Sequence, residues 1–318
     1  ARTTVTATII NGAPTCPTIA PVCLETPPFT LTGATPAGGT YSGNGVTNGV
    51  FNPMAAGVGT HTITYTNCAM SCTFPITVLS TPVVNISAAE TSGTNNNDGI
   101  ICTGASVTLT ATGGGNYTWS TGQTTASITV SPTANITYSV TVTGAGCTAT
   151  GSFTITVNPL PTPGTSVVET SGLTNNDGII CTGASAIITA TGGTSFLWSP
   201  GGATTASITV NPAATTTYIV TVTNANNCSA TTTRVITVDP VPTPGISATE
   251  TSGVANNDGI ICTGASATLT ATGGGTYLWN TNATTAAITV NPTVTTTYFV
   301  TVTNANNCSA NASFTANV

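Results

Sequence analysis

Lysine is absent from this sequence of 318 residues, and Arg2 and Arg234 are its only arginines. Proteins that bind nucleic acid need clusters of Lys or Arg to neutralise phosphates. The composition therefore excludes nucleic acid as a partner. It also excludes covalent chemistry that depends on lysine, including the Lys–Asn isopeptide bonds of some pilins.

Histidine is almost absent too, because His61 is the only one. A Ser-His-Asp triad or a metal-hydrolase site would have to be built around that residue alone. His61 shares a predicted strand face with Ile63 and Tyr65, so we expect it in the core. We predict that the chain is not an enzyme.

No apolar run approaches the roughly 18 residues that a membrane-spanning helix needs, so no membrane span is predicted. The first residues, ARTTVTATII, lack the layout of a signal peptide. We therefore expect a mature or excised segment.

The residues that are abundant indicate β structure. Val, Ile and other apolar residues alternate with Thr or Ser, and 39% of the chain is hydrophobic. This period of two is typical of half-buried antiparallel strands. In one part of the chain such segments are SVTLTAT from Ser106, NYTWS from Asn116, ASITV from Ala126, ITYSVTVT from Ile136 and CTATGSFTITV from Cys147.

An internal repeat divides the chain into modules. The motif ETSG begins at Glu90, Glu169 and Glu250, which sets a period of about 80 residues, long enough for a domain. The predicted domains are an atypical module 1 (1–80), repeat 1 (81–158), repeat 2 (159–239) and repeat 3 (240–318). Proline-rich joints between them predict semi-rigid connectors and a beaded rod.

Each repeat has the order Cys, Trp, Cys, which is typical of immunoglobulin-like sandwiches. We expect the tryptophans and the tyrosines of a later strand to be core residues; the alternative is a carbohydrate-stacking face. These residues are Trp119, Trp198, Trp279, Tyr138, Tyr218 and Tyr298.

The ten cysteines predict structural disulfides formed in an oxidising compartment. In the repeats we expect pairing inside each module, which closes loops of about 45 residues and stabilises each by roughly 4 kcal/mol. The predicted within-repeat pairs join Cys102 to Cys147, Cys181 to Cys228, and Cys262 to Cys308. In module 1, three pairings of Cys16, Cys23, Cys68 and Cys72 stay open.

Most of the acids lie in one loop of each repeat. Carboxylate and amide oxygens beside a glycine turn are ligands that Ca²⁺ prefers. The chain has no lysine that could pair with these carboxylates instead. The alternative is an Asx turn in which Asp accepts a hydrogen bond from its own backbone and Glu is solvated. The candidate calcium ligands are Glu90, Asn97, Asp98, Glu169, Asn176, Asp177, Glu250, Asn257 and Asp258.

Two sequence stretches resemble a known group of modules. These are GGTYSGNGV with GVFNPMAAGVGTHTITYT in module 1, and ICTGASVTLTATGGGNYTWSTGQTTASITV in the repeats. They resemble the Ig-like and PKD-like modules of giant surface proteins from Bacteroidetes, including gliding-motility adhesins and filament proteins exported by type IX secretion. The resemblance implies tandem PKD-like sandwiches at a bacterial cell surface.

We therefore predict an all-β chain of tandem Ig-like (PKD-like) antiparallel sandwiches that forms a structural or adhesive extracellular stalk or filament, supporting adhesion or motility. The alternative is a carbohydrate- or protein-binding array, as such modules are also appended to exported enzymes. The expected partners are an unidentified surface glycan or protein and, in a filament, neighbouring copies of the chain. An exposed aromatic patch would favour the binding array.

Overall fold

The computed structural model describes residues 12–169, 171–172, 176–252 and 257–318. The start of the predicted module 1 (1–11) and parts of two acidic loops (170, 173–175 and 253–256) lie outside the described residues. The chain divides into two compact units, Ala1–Pro159 and Leu160–Val318. Each unit contains two separate hydrophobic cores.

Module 1 has one four-stranded and one three-stranded sheet, in the orders β1-β7-β6-β3 and β2-β5-β4. Phe51, Ile63 and Ile76 are fully buried between them. Its elements are β1 (Val22–Cys23), β2 (Phe29–Thr30), β3 (Thr40–Ser42), β4 (Val46–Thr47), β5 (Val50–Phe51), α1 (Pro53–Ala56), β6 (Gly59–Asn67) and β7 (Met70–Leu79).

Repeat 1 packs a three-stranded sheet, β12-β10-β8, against a four-stranded sheet, β11-β13-β14-β9. Apart from the short β9, this grouping matches strands A, B and E against C, F and G of an immunoglobulin domain. The strands are β8 (Ile86–Ala89), β9 (Ile100–Cys102), β10 (Val107–Ala111), β11 (Asn116–Trp119), β12 (Ser127–Val130), β13 (Ile136–Gly144) and β14 (Cys147–Asn158).

Repeat 2 has the same two sheets, β15-β17-β19 and β16-β21-β20-β18. Its strands are β15 (Gly164–Glu169), β16 (Ile179–Cys181), β17 (Ala186–Thr191), β18 (Ser195–Ser199), β19 (Ser207–Val210), β20 (Thr216–Thr223) and β21 (Ser229–Asp239).

Repeat 3 has the sheets β22-β23-β25 and β24-β26-β27. Ile260 forms a single parallel bridge with Asn317 where repeats 1 and 2 have β9 and β16. Its strands are β22 (Gly245–Glu250), β23 (Ala267–Thr272), β24 (Thr276–Trp279), β25 (Ala287–Val290), β26 (Thr296–Thr303) and β27 (Ser309–Ala316).

The cores confirm the predicted all-β class and the predicted burial of the aromatic residues. Trp119, Trp198 and Trp279 are 2%, 1% and 1% exposed, and each indole N–H donates to a threonine carbonyl, at 2.9 Å from Nε1 of Trp119 to the oxygen of Thr125. Tyr138, Tyr218 and Tyr298 are also buried. A buried indole with its donor satisfied is a core residue.

Threonine is abundant because it occupies the solvent face of these strands. Thr137 on β13 lies opposite Thr154 on β14, and their hydroxyls are 2.8 Å apart. Thr108 and Thr129 form a similar pair at 3.0 Å. Such cross-strand pairs stabilise a sheet without charge.

One local prediction needs correction. His61 was expected in the core but is half-buried on β6, where Nε2 lies 2.7 Å from the carbonyl oxygen of Gly57 and Nδ1 3.2 Å from Asn44 Nδ2. Ile136 alternates with Tyr138 on β13 but is 42% exposed, since it lies at the end of its strand.

The packing of repeat 2 yields a stability prediction. Trp198→Ala removes a fully buried side chain and should lower the free energy of unfolding by about 3–5 kcal/mol. Leu197→Ala, on the same strand but 52% exposed, should change it by less than about 0.5 kcal/mol. Amide hydrogen exchange of β17 measures both, and an equal effect of the two substitutions would contradict the core assignment.

Candidate functional site: intermodule disulfides and acidic loops

The glutamate of each acidic loop is buried rather than solvated. Glu90, Glu169 and Glu250 are 4%, 7% and 3% exposed. Oε1 of Glu90 accepts a hydrogen bond from the backbone N–H of Gly99 at 2.8 Å, and Glu250 accepts the same bond from Gly259 at 2.9 Å. Glu169 accepts from Gly178 and from Asn176. The carboxylate therefore fixes the far end of its own loop.

The aspartate of each loop forms an Asx turn. Oδ1 of Asp98 accepts from the backbone N–H of Ile100 at 2.8 Å, and Asp177 and Asp258 do the same for Ile179 and Ile260. The preceding asparagine has a left-handed backbone, which asparagine tolerates better than most residues. The φ angles are 66° at Asn97, 72° at Asn176 and 68° at Asn257.

These turns position a cysteine. The loop continues directly into the short strand that ends at Cys102, and the N–H of Cys102 donates to Ser92 Oγ at 3.2 Å. The corresponding bonds are 3.0 Å for Cys181 with Ser171 and 3.1 Å for Cys262 with Ser252. We call Cys102, Cys181 and Cys262, together with Cys23 at the end of β1, the edge-strand cysteines.

The other cysteine of each repeat lies in the last hairpin, and we call Cys147, Cys228 and Cys308 the hairpin cysteines. Cys147 begins β14, a strand of 12 residues, whereas Cys102 pairs in parallel with Asn158 at the other end of that strand. At about 3.3 Å per residue, the two cysteines are more than about 30 Å apart. A disulfide needs Cα atoms within about 7 Å.

The predicted pairing inside each repeat is therefore wrong. Cys147 instead bonds to Cys23 of module 1, with Cα atoms 5.7 Å apart, and Cys308 of repeat 3 bonds to Cys181 of repeat 2 at 5.5 Å. Cys102 and Cys228 are disulfide-bonded as well. Cys23–Cys147 and Cys181–Cys308 each join a hairpin cysteine to the edge-strand cysteine of the preceding module.

Within module 1, Cys16 bonds to Cys72, which resolves part of the pairing that the sequence left open. Two cysteines depart from the expectation that all ten form disulfides. Cys68 and Cys262 are free and exposed.

Polar contacts accompany the disulfide between repeats 2 and 3. Asn304 Nδ2 donates to the Asp239 carboxylate at 2.8 Å and to the carbonyl of Pro240 at 3.1 Å. Its Oδ1 accepts from the N–H of Cys308 at 2.9 Å, so one side chain shapes the hairpin turn and binds the neighbouring module. The sequence NANN occurs just before Cys228 and again just before Cys308, and this recurrence is the sequence signal for the turn that Asn304 forms.

The carboxylates of the acidic loops were the predicted calcium ligands. In the part of the chain that the structure describes, no group of three or more His, Cys, Asp or Glu side chains is arranged to hold a metal ion. Oε2 of Glu90 and Oε2 of Glu250 are nevertheless buried and have no hydrogen-bond partner among the described residues. These two oxygens could accept a cation.

A carbohydrate-stacking face receives no support from the aromatic residues that the sequence suggested for it. The three tryptophans are buried in the cores, and burial raises the pKa of the Tyr218 and Tyr298 hydroxyls above the ordinary value. Among the described residues, no helix has the length and apolarity to cross a membrane.

The buried glutamate yields a second prediction. Glu90→Ala leaves the N–H of Gly99 buried without an acceptor, which costs about 1–3 kcal/mol. Amide exchange of residues 99–102 should accelerate by about 5- to 150-fold. Glu90→Gln keeps an acceptor oxygen and should have a smaller effect, and Glu25→Ala, at an exposed position, should have none. Equal exchange rates in all three variants would refute the assigned role.

Comparison with known proteins shows that the chain resembles solved structures in its fold only. No protein-family model and no curated protein matches the chain. It is similar to a structure from work on host cell surface retention of a 1.5-MDa bacterial ice-binding adhesin, with 18% identity, 75% of this chain and 98% of that chain covered, and a TM-score of 0.30. It is also similar to the ICAM-5 D1–D4 ectodomain fragment, with 12% identity, 90% and 93% covered, and a TM-score of 0.37. Scores and identities this low carry no argument about function.

Proposed function

We propose that the chain is a structural segment of an extracellular stalk or filament whose modules are covalently joined to resist extension. The observation that carries this proposal is the disulfide across a module joint, seen in Cys23–Cys147 and in Cys181–Cys308. Disulfides of this kind persist in oxidising compartments. The likeness of the sequence motifs to Bacteroidetes surface modules extends the proposal to a bacterial cell surface, to type IX secretion, and to a role in adhesion or motility.

Each of these disulfides removes a long segment from the covalent path between the chain ends. Cys23 and Cys147 are separated by 124 residues in sequence, and Cys181 and Cys308 by 127. When the ends are pulled, tension passes from Cys23 directly to Cys147 and continues along β14. The residues between the bonded cysteines can unfold without lengthening the chain.

The same loops also stabilise the folded state against unfolding without force. On the chain-entropy model, closing a loop of 124 residues stabilises by about 5 kcal/mol. A disulfide across a joint also fixes two modules relative to each other, which a peptide linker alone does not do. Both effects suit a stalk that must hold a ligand-binding end away from its base.

As a second element, we propose that Ca²⁺ binds the acidic loops of repeats 1 and 3. The supporting observation is the buried, unpartnered Oε2 of Glu90 and of Glu250. Asn97 and the second oxygen of Asp98 would supply further ligands in repeat 1, and Asn257 and Asp258 in repeat 3. In repeat 2, Glu169 already uses both oxygens on Asn176 and Gly178, so that loop should bind more weakly.

Force spectroscopy of the full chain, held by its two ends, tests the structural proposal. Cys23→Ser combined with Cys147→Ser should add an unfolding extension of up to about 240 Å at roughly 3.5 Å per residue, because the path then crosses the Cys16–Cys72 bond and follows the 75 residues from Cys72 to Cys147 in place of the 7 from Cys16 to Cys23. Cys16→Ser combined with Cys72→Ser is the matched control. The shortest path in the wild type follows the chain from Cys16 to Cys23 and does not cross the Cys16–Cys72 bond, so the released length should not change. An oxidised wild-type chain that extends as far as the first variant would overturn the proposal.

Thermal melts test the calcium proposal. With Ca²⁺ at ten times the dissociation constant, binding should stabilise the folded state by about 1.4 kcal/mol for each occupied loop over a chelator-treated sample. Glu90→Gln combined with Glu250→Gln should abolish the difference, whereas Glu169→Gln should largely retain it. An unchanged melting midpoint on addition of chelator excludes calcium and leaves the force-bearing role intact.

A further inference from the structure

One side chain of the last strand covers the acidic loop in each repeat, and its chemistry differs between the repeats. A Cβ placed on Gly178 would lie 3.4 Å from Nη2 of Arg234, and one placed on Gly99 would lie 2.6 Å from Cε1 of Phe153. In repeat 3 the corresponding distance, to Cζ of Phe314, is 3.5 Å. These side chains share one register position, opposite the core tyrosine of the neighbouring strand, and we call Phe153, Arg234 and Phe314 the covering residues.

The covering residue sets the charge balance at the loop. Each loop carries two carboxylates, one from its glutamate and one from its aspartate, and repeats 1 and 3 contain no Lys, Arg or His that could pair with them. In repeat 2, Arg234 supplies a permanent positive charge. A cation from solution is therefore attracted more strongly to the loops of repeats 1 and 3 than to the loop of repeat 2.

The covering residue also determines how the loop glutamate is bonded. Nη2 of Arg234 donates to the carbonyl oxygen of Asn176 at 3.4 Å, and the N–H of Asn176 donates to Glu169. Both oxygens of Glu169 are thus satisfied, because Gly178 donates to the other one. A phenylalanine ring cannot donate a hydrogen bond. Under the phenylalanines of repeats 1 and 3, the second glutamate oxygen is buried with no partner among the described residues.

We propose, on the basis of the calcium binding proposed above, that the covering residue determines which acidic loops take a divalent cation. The guanidinium of Arg234 replaces the metal ion in repeat 2, because it supplies the positive charge and holds Asn176 where its N–H occupies the oxygen that Ca²⁺ would bind. Phe153 and Phe314 leave that oxygen to Ca²⁺. Arg234 is therefore a specificity-determining residue and not a ligand. The loop that leads to Cys181, the residue bonded to repeat 3, keeps its structure at any calcium concentration.

Amide hydrogen exchange of the full chain, in Ca²⁺ and in chelator, tests this role loop by loop. In the wild type, Ca²⁺ at ten times the dissociation constant should slow exchange about 10-fold at residues 97–102 and 257–262 and leave residues 176–181 unchanged. Arg234→Phe copies the covering residue of repeat 1 and should give residues 176–181 the same slowing. Arg234→Lys keeps the charge and should leave them unresponsive. Exchange of β17 that equals the wild type shows that repeat 2 stays folded.

The reciprocal substitution tests the same role in repeat 1. Phe153→Arg places a cation over the loop and should abolish the slowing at residues 97–102. Phe153→Leu removes the ring without adding charge and should retain the slowing. In both variants, residues 257–262 of the same molecule should still respond to Ca²⁺, which provides an internal control.

Three outcomes would overturn the role of the covering residue: slowing at residues 176–181 in the wild type, no slowing there in Arg234→Phe, or equal loss of the response in the two Phe153 variants. Absence of slowing at residues 97–102 and 257–262 in the wild type would instead refute calcium binding by those loops. The response of residues 176–181 in Arg234→Phe is measured separately from them, and the force experiment depends on neither. Failure of this inference and failure of the proposed function are therefore distinguishable.

Discussion

The parallel pairing of a short cysteine-bearing strand with the end of the last strand determines how the modules are joined. In repeat 1, this pairing places Cys102 beside Asn158, while Cys147 stands at the start of the same strand. A strand cannot bend back on itself within a sheet, so the two cysteines face opposite ends of the sandwich. Cys147 therefore bonds outside its own repeat, to Cys23 of module 1. The covalent connection between modules thus follows from strand register.

The acidic loop supports this pairing. A buried carboxylate is costly unless it is hydrogen-bonded, and here backbone N–H groups supply the bonds, since the chain has no lysine to supply an ion pair. The side chains of Glu90, Asp98 and Ser92 accept hydrogen bonds from the backbone N–H groups of Gly99, Ile100 and Cys102, respectively. These three bonds fix the backbone from the loop to the cysteine. The few charges of the repeats therefore lie where the edge-strand cysteine must be held.

The sequence predicted the strands and the core of the repeats well, because both depend on local alternation. SVTLTAT and CTATGSFTITV begin and end within a residue of β10 and β14, and the tryptophans are buried as expected. Ile136 and His61 are less buried than the alternation indicates, because alternation gives the face of a residue but not its distance from the end of a strand or its depth in the core.

The disulfide pairing could not be predicted from local sequence patterns. Two cysteines in every repeat suggested one bond per repeat, and only the parallel register of β9 with β14 excludes it. Local alternation tells which face of β14 a residue occupies, but it does not tell which residue of β14 lies beside Cys102. That register is set by packing of the whole sandwich, so the bonds Cys23–Cys147 and Cys181–Cys308 could be identified only from the fold.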